Sequence, residues 1–138
     1  MQAKSSTRKK SNRANQRDLD VKIEFMEGIV RRDPDYADAL QLLGDHYTRR
    51  GRFPEGLKVD ERLARLEPQN PLVFYNLACS YSLTEKFDRA ALALEKALSL
   101  GYRDFAWLAK DPDLKKFRQQ PVYDNIREKI RRMKIKAR

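Results

Sequence analysis

The sequence predicts an all-α protein, an α-solenoid of antiparallel helix pairs. Apolar residues recur at helical spacing, as at Leu40, Leu43 and Tyr47. The chain of 138 residues has only five glycines and six prolines, and its charged fraction of 36% is spread through apolar segments, so most of it is expected to fold. The sequence also superposes on itself after a shift of about 34 residues, a period typical of stacked helical repeats.

The N-terminal part is predicted to be a disordered basic tail, residues 1–17, followed by a capping helix, residues 18–35. The tail has six Lys or Arg residues and no acidic residue. Asp33-Pro34 is expected to end the helix, because proline cannot continue it. A helix at the end of a solenoid covers the apolar face of the next repeat. Four apolar residues form one side of the capping helix: Leu19, Ile23, Met26 and Val30.

The central part, residues 36–104, is predicted to hold two copies of the repeat, 37–70 and 71–104. The shift that superposes the second copy on the first is called the repeat offset. It needs no gap, and it places Gly44 over Ala78 in the apolar stripe of a helix. A glycine inside a helix costs about 1 kcal/mol relative to alanine. Small residues at these two positions let the helices of a repeat cross closely, and that packing offsets the cost.

The two copies resemble the tetratricopeptide repeat (TPR) family, and the segment after them resembles the closing segment of its small bacterial members. The family pattern appears in the first copy as Leu40, Leu43-Gly44, Tyr47 and Pro68, and in the second as Phe74, Leu77-Ala78, Tyr81, Ala90 and Ala97. The resemblance implies a protein-protein interaction scaffold or adaptor that is not an enzyme and whose first helices line a concave groove. That groove would bind a peptide or helix of a partner protein through Asp38, Gln41, Asp45, Thr48, Arg49, Leu72, Tyr75, Asn76, Cys79, Ser82 and Lys110, with Ala106 beside them.

Two of these groove residues have an alternative interpretation. Leu72 and Tyr75 could equally pack against the next helix, since a large apolar residue at helical spacing is compatible with a core position. In the groove, Leu72 and Tyr75 would hold an apolar side chain of the ligand, and Asn76 would bond its backbone.

The C-terminal part, residues 105–138, is predicted to be a degenerate third repeat followed by a basic helix. Pro112 should break the helix that starts at Phe105, close to Asp111. Leu114 and Phe117 are expected to pack in one short helix. The spacing continues in a second helix with Val122, Ile126, Ile130 and Met133.

The sequence contains no catalytic, cofactor-binding or metal-binding constellation that its spacing would compel. His46 is the only histidine and is interpreted as a helix-surface residue, and Cys79 as a small, partly buried thiol without a neighbouring base. The Asp-Pro-Asp triplets at 33–35 and 111–113 lack the rest of a calcium loop and are expected at helix turns. No enzyme activity and no cofactor are therefore predicted.

The charge distribution leaves a second functional class open. Of the net charge of +10, residues 1–17 contribute +6 and residues 127–138 another +6, which leaves −2 for the rest. The alternative function is a nucleic-acid-associated adaptor whose basic termini contact RNA or DNA. A single cysteine and the absence of a long apolar run predict a cytoplasmic protein without a membrane partner. The protein is expected to be a monomer or a weak homodimer.

Overall fold

In the computed structural model the described residues are 5–136, with side chains described from residue 12, and they form α-helices and no strand. The α-helices are α1 (Ser5–Arg32), α2 (Ala37–Arg50), α3 (Phe53–Leu66), α4 (Pro71–Leu83), α5 (Phe87–Ser99), α6 (Phe105–Leu108), α7 (Lys115–Arg118) and α8 (Tyr123–Lys136). A 3-10 helix at Pro112–Leu114 precedes α7. The all-α class and the packing of neighbouring helices in pairs, which the predicted α-solenoid requires, are confirmed.

The chain divides into two compact units, and the boundary lies inside α3 between Val59 and Asp60. The first unit holds α1, α2 and the start of α3. The second unit holds the rest of α3 and α4 to α8. None of the described helices combines the length and apolar content needed to cross a membrane.

Helix α1 begins earlier than the sequence indicated. Residues 5–17, predicted as part of a disordered tail, belong to the helix Ser5–Arg32, whereas residues 1–4 lie outside the described part. The segment 5–17 contains no glycine or proline, and about half of its residues are Lys, Arg, Gln or Ala, which are good helix formers. Low hydrophobicity therefore indicated disorder in a segment where no residue breaks the helix. The division of residues 36–104 into two repeats stays a prediction.

A hydrogen bond between side chains recurs at the repeat offset. In the first unit the Tyr47 hydroxyl donates to the carboxylate of Glu27. In the second unit the Tyr81 hydroxyl donates to Glu61 Oε2 at 3.1 Å. In each case a helix-surface carboxylate accepts from a tyrosine twenty residues further along the chain. The hydrogen-bond partner of the tyrosine thus repeats at the same offset as the tyrosine itself.

The turns that follow α2 and α4 also repeat at this offset. Gly51 has a φ of 84° and Glu85, at the equivalent position, has a φ of 59°. The next backbone N–H, of Arg52 or Lys86, donates to a carbonyl five residues earlier at 2.8 Å in both turns. This bond closes the C-terminal end of the helix and requires the left-handed conformation, which glycine adopts with less strain than glutamate. Both turns therefore reverse the chain in the same way.

The core of the first unit lies between α1 and α2. Ile23 and Met26 of α1 are buried, as are Leu40 and Leu43 of α2. The predicted inward side of the capping helix is thus confirmed at its centre. Leu19 is only half-buried near the point where the exposed N-terminal part of α1 begins.

Helices α2 and α3 of the first unit approach closely where each contributes a glycine. Gly44 is buried, and a Cβ atom built on Gly56 would lie 3.7 Å from the Gly44 carbonyl oxygen and 3.2 Å from Thr48 Oγ1. The Thr48 hydroxyl is itself fixed by a hydrogen bond to that carbonyl, at 3.0 Å. A Cβ at Gly56 would thus touch α2 and press on the Thr48 hydroxyl, and a longer side chain at this crossing would meet the facing helix.

We expect Gly44→Leu to destabilise the protein by about 1–3 kcal/mol, because the added volume has to enter this crossing. Gly28→Leu is a suitable control, since a Cβ there meets only the Arg31 side chain at 3.8 Å. The control should be neutral or slightly stabilising, because leucine is a better helix former than glycine. Chemical denaturation followed by circular dichroism measures both. Equal midpoints for the two variants would show that Gly44 does not lie at a tight crossing.

The second unit is built around α4. Asn70 caps the helix by accepting from the Leu72 N–H at 3.0 Å, and Pro71 follows at the first helical position. The Ser80 hydroxyl donates to the buried carboxylate of Asp60 in α3. On another side α4 packs against α5, where Leu94 is completely buried. Helix α4 is therefore covered along most of its surface and forms a rigid centre.

Candidate functional site

The structure separates the predicted groove residues of α4 into an exposed set and a buried set. Leu72 is 56% exposed and Asn76 is exposed, whereas Tyr75, Cys79 and Ser82 are buried. The three buried residues follow one another at i, i+4 and i+7, which places them on one face of the helix. The chain after α6 folds back onto α4 through the 3-10 helix and α7. The prediction that these three side chains are open to a ligand is corrected by this burial.

Tyr75 is held by a stacking contact and a hydrogen bond. Its ring stacks on Tyr102, with ring centroids 4.3 Å apart and an interplanar angle of 10°. Its hydroxyl donates to Asp111 Oδ2 at 2.6 Å. Burial raises the pKa of Tyr75 well above its usual value, and the nearby Cys79 and Asp111 add to the shift. The phenol therefore stays protonated and serves as a donor inside the fold.

Asp111 is the acceptor that organises this part of the second unit. It is buried, and besides the Tyr75 hydroxyl it accepts the Asp113 N–H on Oδ1 at 3.0 Å. This second bond caps the 3-10 helix that begins at Pro112. Arg118 donates to the Asp111 carbonyl at 2.8 Å and to the Leu108 carbonyl at 3.0 Å. The Asp111 carboxylate thus connects α4 to the start of the 3-10 helix that packs on α4.

Cys79 belongs to the same buried cluster, and its Sγ lies 3.8 Å from Asp111 Oδ2. Burial raises the pKa of the Cys79 thiol well above its ordinary value, and the carboxylates nearby add to that effect. A thiol in this state is a poor nucleophile. Ligand atoms of Cys79, Asp111 and Asp113 come within 4.8 Å of one another, as they would around a metal ion. Both Asp111 oxygens already accept hydrogen bonds, so we assign the cluster a structural role.

The predicted groove residues of the first unit lie on α2. Asp45 and Arg49 are exposed and form an ion pair at 3.3 Å. Thr48 is half-buried, with its hydroxyl bonded to the helix backbone. The other predicted residues of this helix are exposed: Asp38 and Gln41. Helix α2 therefore offers a polar surface in which both signs of charge are present.

The last predicted groove residues, Ala106 and Lys110, are exposed in the second unit. The predicted break of the helix before Pro112 is confirmed, and α6 ends at Leu108. The Lys110 and Asp111 N–H groups both donate to the Trp107 carbonyl, which closes this short turn. Sequence reasoning missed Asp111 and Tyr102 as partners of Tyr75. The available signal was the Asp-Pro-Asp triplet, which places a capping carboxylate ahead of Leu114.

The described residues define an all-α helical-repeat protein. No family model matches the chain. It is similar to a chloroplastic protein of Arabidopsis thaliana, with 28% identity over 119 residues, which cover 84% of this chain and 34% of that protein. It is also similar to the peroxisomal targeting signal receptor of Komagataella phaffii, with 34% identity over 91 residues, which cover 64% of this chain and 16% of the receptor. The receptor of the same name from Candida albicans is 35% identical over 77 residues, covering 55% of this chain and 13% of that receptor.

The matched regions are small parts of these relatives. The alignments cover about a third of the Arabidopsis protein and about a sixth of the Komagataella receptor. The two yeast proteins carry the name of a receptor and not of an enzyme. The similarity therefore supports a protein-interaction module at low identity.

Proposed function

We propose that this chain is a TPR-type, non-enzymatic interaction module that binds a peptide or helix of a partner protein. The observation that carries the proposal is the exposure of Leu72 and Asn76 on α4, a helix whose other faces are largely buried. Leu72 is 56% exposed, so a ligand that covered it would remove apolar surface from water. The residue pattern and the Tyr-to-Glu hydrogen bond that recurs at the repeat offset support the TPR assignment.

The chemistry of these two residues suits a peptide ligand. Leu72 and Asn76 are four positions apart on one helix, so they lie on neighbouring turns of the same face. Leu72 provides apolar contact, and the Asn76 amide both donates to and accepts from a peptide backbone. The Asn70 cap and the packing of α4 hold both residues on a rigid support. Such a support lowers the entropy that binding costs.

The exposed residues of α2 are proposed as a second, polar contact surface within the first unit. The ion pair of Asp45 and Arg49 is exposed and contributes little to stability. It can therefore exchange for a charged group of a partner at small cost. Gln41 and Asp38 add an amide and a carboxylate to this surface.

The double substitution Leu72→Ala with Asn76→Ala should abolish capture of a protein partner from a cell lysate and leave the helical circular dichroism spectrum unchanged. Leu92→Ala is the matched control, because Leu92 is 67% exposed on α5, the other helix of the same pair. The control should capture the same partner as the unmodified chain. A photoreactive residue at position 76 should crosslink to that partner, and one at position 92 should not. Equal capture by both variants would place binding elsewhere on the chain.

The nucleic-acid alternative makes a different prediction for the same capture. It is favoured by the described part of α8, Tyr123–Lys136, which has six basic residues and two acidic ones. Capture that depends on RNA or DNA would disappear after nuclease treatment. Its affinity would also fall with salt, with a logarithmic slope of about −0.7 to −0.9 per phosphate contact. Capture that resists nuclease supports the peptide-binding module.

A further inference from the structure

A cleft of about 510 Å³ lies in the second unit between α6, α7 and α8. Its size falls within the range of about 300–1,000 Å³ that is typical of ligand sites. Five of its lining residues are apolar or aromatic, four are basic, and none is acidic. Leu108, Tyr123 and Ile130 are buried and form its apolar floor. No lining residue lies on α4, so this cleft is separate from the surface proposed above.

Two of the basic residues rest on aromatic rings of the cleft. The Lys134 ammonium lies 5.8 Å from the centroid of the Phe105 ring. The Arg127 guanidinium lies 5.0 Å from the centroid of the Tyr123 ring. Such contacts restrict a long side chain and leave most of its N–H donors available to a ligand. The cleft therefore has basic groups at its rim that are held in place.

The other two basic residues differ in their partners. Arg118 donates to the backbone carbonyls of Leu108 and Asp111, which fixes its guanidinium beside the cleft. Arg131 pairs with Glu128 through two bonds, at 3.0 and 2.6 Å. This pair is solvent-exposed, so it is worth little and can be exchanged for the carboxylate of a ligand.

The charge around the cleft favours an anionic ligand. Within the described part of α8 the six basic residues exceed the acidic ones by four, and Asp124 and Glu128 pair only with residues of the same helix among the contacts seen. An anion entering the cleft meets basic groups and no lining carboxylate. The apolar part of the lining adds a second requirement, because a purely ionic ligand would leave the half-buried Phe105 and the exposed Ala109 without an apolar partner.

We propose that this cleft binds an acidic segment of a partner protein in which an apolar side chain lies next to several carboxylates. The apolar side chain packs on Phe105 and Ala109, above the buried Leu108 and Ile130, and the carboxylates accept from the basic rim. A phosphate backbone would satisfy the rim but supplies no aliphatic group to pack on Phe105 and Ala109. The cleft is thus a second interaction site, which recognises its ligand by charge and one apolar anchor.

The test uses the full chain and fluorescent peptides in which a single Leu or Phe is surrounded by Asp and Glu residues. The paired substitution Arg131→Gln with Lys134→Gln should weaken binding about tenfold or more, because both groups line the cleft. Arg132→Gln with Lys136→Gln is the matched control. It removes the same charges from α8, and Arg132 also pairs with Glu128, but neither residue lines the cleft. Its effect should be about twofold, since only long-range attraction is lost.

Changes in the probe test the apolar floor without altering the protein. Replacing the single Leu or Phe of the peptide with Ser should weaken binding to the same extent as the cleft variant. Equal losses in the two protein variants would overturn the proposal, since binding would then depend on net charge alone. Failure of the whole peptide set to bind would overturn it as well. Tighter binding of a single-stranded oligonucleotide or of vesicles of anionic phospholipid would assign the basic surface to nucleic acid or membrane instead.

Discussion

Replacing Phe117 with alanine should lower the free energy of unfolding by about 3–5 kcal/mol, the loss that large core aromatic residues show on truncation to alanine. Phe117 is completely buried in α7, a helix that packs on α4. Its ring meets Tyr123 of α8 edge to face, with centroids 5.2 Å apart at an angle of 76°. The substitution removes this contact and leaves a cavity at the junction of the closing helices. Chemical denaturation monitored by circular dichroism measures the loss.

The control for this experiment is Phe25→Ala. Phe25 is 68% exposed on α1, so the same change of side chain should alter stability by no more than about 0.5 kcal/mol. If Phe117→Ala behaved like Phe25→Ala, the short C-terminal helices would not form part of the core of the second unit. Val122→Ala, at a half-buried position just before α8, should give an intermediate loss.

Helix positions were predictable because the residues buried on one face of a helix recur in the sequence at helical spacing. The repeat offset indicated which positions of α2 and α4 face inward, and Gly44 and Ala78 are both buried. Phe53 and Phe87, which superpose at the repeat offset, are the first residues of α3 and α5. Such local patterns are sufficient where one helix face meets one neighbour.

The N-terminal segment shows the limit of reasoning from hydrophobicity. Residues 5–17 have few apolar side chains, and those described in that segment are exposed. They have nothing to bury, and the sequence therefore suggested a tail. A helix can nevertheless extend from a packed segment into solvent, because each added residue then forms a backbone hydrogen bond without a new nucleation step. Amphipathic periodicity does not record such an extension.

The candidate site was only partly predictable, because its burial depends on residues distant in sequence. Tyr75 and Asp111 are 36 positions apart, and no local pattern joins them. Helix α4 has apolar residues on nearly every side, so its periodicity does not show which face stays open. Leu114 and Phe117 were correctly predicted to pack, but what they cover was not indicated. Knowing which face of α4 they cover would have shown that Tyr75 is buried and that Asn76 stays exposed.

Replacing Asp111 with alanine should be the second large effect, because it leaves the buried Tyr75 hydroxyl and the Asp113 N–H without their acceptor. An unsatisfied buried donor costs about 1–3 kcal/mol and a lost helix cap about 0.5–2 kcal/mol, so the two losses should cost about 1.5–5 kcal/mol in total. Asp33→Ala is the matched control, since Asp33 begins the other Asp-Pro-Asp triplet but is exposed. It should change the free energy of unfolding by no more than about 0.5 kcal/mol.

A double-mutant cycle with Tyr75→Phe shows how much of the Asp111 effect passes through the tyrosine. In the Asp111→Ala background, Tyr75→Phe removes the orphaned hydroxyl and keeps the ring that stacks on Tyr102. The double variant should therefore be more stable than the sum of the two single losses predicts, by about 1 kcal/mol or more. Strict additivity would show that the hydrogen bond between Tyr75 and Asp111 does not contribute to stability. A cost for Asp111→Ala as small as that for Asp33→Ala would show that the 3-10 helix holds its position on α4 without the capping carboxylate.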